Sequence, residues 1–218
     1  MINSEEQVTL ALTSRPFGEC AMGRFTDLKQ YGTKVTKFNQ SKVLKDVHER
    51  GEVGTLVYKW SKSGICAALA SNWLKKASRY KDGANDKLMQ KALSVQYIYM
   101  KTNPTGNPLD DVGVASADGV VIPRLPKESS LDKWISAWNR NDTRANSAVY
   151  ISFKCSGAVS GSHAVAARRT KGVLHFYDSN CGWYTVATGS EDAFFQTYAA
   201  AYAQQGIEIS NVEMIAVK

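Results

Sequence analysis

Gly161-Ser162-His163-Ala164-Val165-Ala166-Ala167-Arg168-Arg169-Thr170-Lys171-Gly172-Val173-Leu174-His175-Phe176-Tyr177-Asp178 is the stretch that decides the fold. Two apolar runs, at 163–168 and 173–178, flank a short polar break of turn-forming composition, which is the pattern of two strands joined by a hairpin. Whether the loop is 170–171 or 169–172, the register pairs His163 with Asp178 and His175 with Ala166. Directly opposed Cβ atoms lie ~4.5–5.5 Å apart, close enough for a carboxylate to orient an imidazole. A three- or five-residue loop would slip the register by one residue and break that match.

Working outward, the period of 2 already begins after Asn146, where Val149, Ile151 and Phe153 alternate with Tyr150, Ser152 and Lys154. Further strands are expected at 183–188 and 207–217. Between them Ser190 is placed to cap a helix that carries Phe194, Phe195, Tyr198 and Tyr202 and ends at Gly206. Upstream the period is 3.6. Cys66, Leu69, Ala70, Trp73 and Leu74 share one face of a helix at about 64–80, and Leu88, Ala92, Val95 and Tyr99 form the stripe of another at 86–100. Ser129-Ser130-Leu131-Asp132 resembles a capping box opening a short helix whose Leu131, Trp134, Ile135 and Trp138 face inward. Residues 102–128 hold four of the five prolines and read as a long connection. Weaker strands are expected at 8–12 and 53–60. Helices first and an antiparallel sheet after them make an α+β domain. The expected division is an N-terminal arm or peripheral segment at 1–50 and a catalytic domain at 51–218.

The totals fit this. The chain has 218 residues, 44% hydrophobic and 22% charged, enough for one domain with a core of its own. A net charge of +7 reads as solubility rather than as a dedicated polyanion or nucleic-acid site. Cys20, Cys66, Cys155 and Cys181 are too scattered for a disulfide scaffold, and three histidines without CxxC spacing argue against structural zinc; no cofactor is expected. The first residues lack the basic and apolar regions of a conventional signal peptide, and no apolar run approaches the ~20 residues of a membrane span.

Chemistry enters at Lys62-Ser63-Gly64-Ile65-Cys66-Ala67-Ala68-Leu69. This places a thiol in the first turn of a helix, where free N–H groups and the dipole favour the thiolate. A packed core thiol occupies the same kind of apolar face, so Cys66 needs a base. His48 lies in a charged stretch and reads as a solvated helix residue; His175 reads as a strand histidine with no carboxylate opposite. His163 opens a strand after Ser160-Gly161-Ser162 and has Asp178 beside it. Cys66 as nucleophile, His163 as proton carrier and Asp178 as orienter follow the logic of a Cys-His-acid hydrolase. The Cys66 backbone N–H is one oxyanion donor.

Three segments, Gly64-x-Cys66-x-x-Leu69-x-x-x-Trp73, Gly161-Ser162-His163-Ala164-Val165-Ala166 and Phe176-Tyr177-Asp178-Ser179-Asn180-x-Gly182-x-Tyr184, resemble in content and order the YopT/AvrPphB-type bacterial effector cysteine proteases. The resemblance spans roughly residues 55–190. It implies a papain-like fold with N-terminal helices packed on a C-terminal antiparallel sheet, and the same three catalytic residues. It further implies a protein secreted by a bacterium without a conventional signal peptide, cleaving a host protein in the host cytoplasm as a monomer. The basic clusters at Lys75, Lys76 and Arg79 and at Arg168, Arg169 and Lys171 would suit an anionic membrane surface, although a helix end and a hairpin tip are the favoured explanation of them. Two positions depart from the family. Trp60-Ser61-Lys62-Ser63 offers no amide side chain as second oxyanion donor, only Ser61 and Ser63, and Ser179 replaces the proline that commonly follows the aspartate. The same triad serves a glutamine deamidase or transglutaminase-like toxin, and a basic binding module with a packed Cys66 is the non-enzymatic reading.

Overall fold

The computed structural model describes residues 25–36, 40–51, 65–76, 92, 125, 129–141 and 146–217. The strands expected at 8–12 and 53–60, most of the helix at 86–100 and of the connection at 102–128, and Ser61 and Ser63 lie outside them. Among the described residues, a six-stranded antiparallel sheet is built from β1 (Gly32–Thr36), β2 (Ser147–Gly157), β3 (Gly161–Thr170), β4 (Val173–Asp178), β5 (Gly182–Val186) and β6 (Ile207–Val217), in the order β1-β5-β4-β3-β2-β6. A 3-10 turn at Phe25–Gln30 precedes β1, and the helices are α1 (Gln40–Glu49), α2 (Cys66–Lys76), α3 (Leu131–Asn141) and α4 (Glu191–Ala203). The class is α+β, with helices on both faces of the sheet.

Period-2 alternation sends each strand's side chains to two separate cores. Val149, Ile151, Phe153, Val165, Ala167, Leu174, Phe176 and Tyr184 meet α3 and α4, whose Trp134, Ile135, Trp138, Phe194, Phe195, Tyr198 and Tyr202 are buried as their spacing predicts. Tyr150, Ala164, Ala166, Tyr177 and Trp183 meet α2 on the opposite face. Here Trp73, with no exposed surface, stacks on Tyr177 at 5.5 Å between centroids and meets Trp183 edge-on at 5.8 Å. Replacing Trp73 with alanine is expected to cost about 3–5 kcal/mol of stability in urea unfolding, as a large buried ring leaves a cavity that cannot close. A loss below about 1 kcal/mol would show that α2 is not held to the sheet by this contact.

The hairpin register differs from the expected one. Lys171 and Gly172, with φ of 52° and 82°, form the loop, and Thr170 pairs with Val173. Both loop residues sit in the left-handed region that a two-residue turn of this hand requires, which glycine enters without cost and Lys171 enters beside it. Asp178 therefore pairs with Val165 and His175 with Arg168, a shift of two residues from the expected partners. An even shift keeps every side chain on its face, so His163 and Asp178 become diagonal neighbours instead of direct ones. Two smaller differences concern the next segment. β5 ends at Val186, after which the chain turns, with the Ser190 N–H donating to the Ala187 carbonyl at 3.0 Å. Ser190 stands at the N-terminus of α4, but its side chain makes no capping bond.

Candidate active site

His163 lies at the start of β3 on the face toward α4, where its ring meets Phe153, its partner on β2, edge-on at 5.4 Å. Asp178 closes β4 on the same face, one step beyond Phe176 in the row that packs against α4. Both side chains are fully buried. His163 Nε2 donates to Asp178 Oδ1 at 2.8 Å. The Asn180 backbone N–H donates to the same oxygen at 2.7 Å, made possible by the tight turn in which the Cys181 N–H returns to the Asp178 carbonyl. The other oxygen, Oδ2, accepts from the Tyr198 hydroxyl at 2.7 Å and the Tyr202 hydroxyl at 3.0 Å. Four donors on one buried carboxylate offset the cost of removing it from water.

Cys66 is the first residue of α2, 7% exposed, and its Sγ lies 3.9 Å from the carbonyl oxygen of Ser162, the residue before His163. The helix meets the sheet where β3 begins, which sets Cys66 beside the His163 segment, while the side-chain amide of Asn180 approaches His163 Nε2 at 3.5 Å. With Nε2 on Asp178, Nδ1 is the ring nitrogen that the carboxylate does not engage. The first helical bond runs from the Leu69 N–H to the Ile65 carbonyl, so the Cys66 N–H precedes the helical ladder.

The electrostatics are those of a buried ion pair. Burial pulls the His163 pKa down, but the opposing charges of Asp178 and Cys66 and their hydrogen bonds outweigh it and raise it to about 10. Burial pushes the Asp178 carboxyl up, and the His163 charge with the donors from His163, Asn180 and Tyr198 brings it below the usual carboxylate value. His175, by contrast, has its Nδ1 3.1 Å from Thr185 Oγ1; burial and then the Arg168 charge lower its pKa. Burial drives the other two described cysteines upward, Cys155 to about 12 and Cys181 well above its ordinary value. An NMR titration of the ring protons is therefore expected to show His163 charged across neutral pH and releasing its proton near 10, with His175 titrating below 6.5. A His163 that titrates between 6 and 7, roughly like a free histidine, would contradict the pair.

His163 and Asp178, both singled out by sequence, thus bond at one end of the sheet through a diagonal rather than a direct strand contact, and Cys66 stands beside the same strand end. Tyr198, Tyr202 and the Asn180 N–H were not anticipated as parts of the site. The signal for the tyrosines was present as two hydroxyls at i and i+4 on an otherwise apolar helix face, where a buried phenol requires a partner. Among the described residues, no cluster of His, Cys, Asp and Glu is arranged to hold a metal ion.

No protein-family model matches the chain, and no curated protein does. Two solved structures share its fold. The Pseudomonas avirulence protein AvrPphB matches with a TM-score of 0.52 at 14% identity, over 72% of this chain and 93% of that one. PatoxP, a cysteine protease-like domain of the Photorhabdus asymbiotica toxin PaTox, matches with a TM-score of 0.50 at 12% identity, over 89% of this chain and 56% of that one. At these identities the likeness is one of fold: the chain shares the α+β fold of AvrPphB and of the cysteine protease-like domain of PaTox.

Proposed function

Starting from a cysteine-protease fold, we propose that the chain is a bacterial effector endopeptidase that cleaves a host protein through Cys66, His163 and Asp178. The observation that carries this reading is the buried His163 ring bonded to the Asp178 carboxylate, with the Cys66 sulfur at a helix start 3.9 Å from the carbonyl oxygen of the adjoining Ser162. The nucleophile in such an arrangement is the thiolate, formed when the imidazole takes the sulfur's proton. The sulfur attacks the scissile carbonyl, and the developing oxyanion meets the Cys66 N–H at the helix N-terminus. His163 gives its proton to the departing amine, leaving a thioester on Cys66. A water that loses its proton to His163 then attacks the thioester, releases the acid and restores the thiol. Asp178 stays ionised throughout, holding the ring so that Nδ1 faces the sulfur and stabilising its charged form.

The substrate is a protein of the host cytoplasm, reached after secretion from the bacterium; an avirulence protein and a toxin domain of the same fold support that setting. The enzyme acts as a monomer, needs no cofactor and engages no specific nucleic acid. Where the substrate lies at a membrane, basic side chains such as Lys75 and Arg168 favour an anionic surface. The test compares new protein N-termini in a host lysate treated with the wild type or with Cys66→Ala. New termini made by the wild type alone support the reading. Intact but deamidated host proteins would replace it with a different acyl transfer on the same triad.

A further inference from the structure

Tyr198 and Tyr202 lie one helical turn apart on α4, and both are fully buried. Their hydroxyl oxygens are 3.3 Å from each other and converge on a single atom, Asp178 Oδ2, at 2.7 and 3.0 Å. The opposite oxygen of the same carboxylate is the one bonded to His163. We propose that Tyr198 and Tyr202 are positioning residues, a two-hydroxyl clamp that fixes the Asp178 carboxylate and thereby the direction of the His163 ring.

Phenylalanine would fill the same space, so packing alone does not require these hydroxyls. A carboxylate carrying only the His163 and Asn180 bonds would keep one oxygen dry and unsatisfied, free to rotate toward any donor that entered. Burial and the Asp178 charge hold both phenols well above their ordinary pKa, which keeps each one protonated and able to donate. The clamp is itself braced. Phe25, from the 3-10 turn ahead of β1, stacks on the Tyr198 ring at 5.6 Å and meets Tyr202 edge-on at 5.5 Å. The N-terminal segment thus reaches the acid of the site through two tyrosine rings.

This inference rests on the hydrolase reading for its catalytic consequence but not for its chemistry, and the test separates the two. In full-length protein carrying Tyr198→Phe with Tyr202→Phe, the carboxyl carbon resonance of Asp178 is followed against pH, and new N-termini in host lysate are timed. Loss of two donors to a charged group is expected to raise the pH at which Asp178 takes up its proton by about one unit or more. Cleavage is expected to slow about tenfold. Tyr202→Phe alone, which removes the longer bond, serves as the variant if the double change does not fold. An Asp178 titration identical to that of the wild type, with only a lower melting temperature, would make the tyrosines ordinary core residues and overturn the proposal. A shifted titration in a protein whose wild type cleaves nothing would leave the clamp standing and remove the hydrolase reading instead.

Discussion

Replacing Cys66 with alanine is expected to abolish cleavage, by at least about 10⁴-fold, while the melting temperature moves by no more than about 4 °C. The two halves of that result come from one position. Cys66 opens α2 and, although only 7% exposed, loses a single sulfur atom on truncation to alanine, so little packed volume is removed. The backbone N–H remains, and with it any oxyanion stabilisation, but no atom is left to form the acyl intermediate. Melting curves and the timed appearance of new termini on the same preparations give both numbers. The opposite pattern, a large loss of stability with cleavage unaltered, would make Cys66 a core thiol of the kind its neighbours Ala67, Ala70 and Trp73 would equally accommodate.

Asp178→Ala is expected to damage both properties. The carboxylate accepts from Nε2 of His163, from the Asn180 N–H and from two tyrosine hydroxyls, all in a region closed to water. Removing it strands four donors and leaves a desolvated imidazole without its counter-charge. Breaking a buried pair from one side costs about 3–5 kcal/mol, and an imidazole freed to turn costs activity by about 10⁴-fold. The pH dependence of stability has two edges. The Asp178 pKa is depressed in the folded state, so its contribution is present above its unfolded value and is lost as pH falls through the folded one. The His163 pKa is raised to about 10, so its contribution is complete below the unfolded value near 6.5 and disappears as pH rises through 10. Urea unfolding of wild type and Asp178→Ala at neutral pH measures the first effect. A difference under about 1 kcal/mol would show that the carboxylate is not a desolvated hub.

Side-chain periodicity carried most of the fold into view. The stripes at 131–138 and 194–202 and the alternation from 149 onward name the buried residues that the structure contains, because those positions obey local geometry alone. The hairpin was legible in existence and in facing but not in register. Four candidate loop residues allow several closures, and only the left-handed pair at Lys171 and Gly172 selects one. The union of His163 with Asp178 was still readable because an even slip preserves the face. The tyrosine pair was not, since two phenols on an apolar stripe look like packing until a carboxylate from a distant strand is placed beneath them. Likewise β1, from residues 32–36, joins the sheet beside β5 through backbone hydrogen bonds that no side-chain pattern announces.

The most direct measurement is the rate at which iodoacetamide alkylates individual cysteines of the native protein at neutral pH, followed by peptide mass spectrometry. Cys155 and Cys181 are buried thiols whose pKa is pushed upward, whereas Cys66 opens a helix with its sulfur 3.9 Å from the carbonyl oxygen of Ser162, next to the charged His163. Cys66 should be carbamidomethylated first by a wide margin, and His163→Ala should erase that lead. If Cys66 reacts no faster than Cys155 or Cys181, or keeps its lead when His163 is gone, the sulfur and the imidazole do not work as a pair.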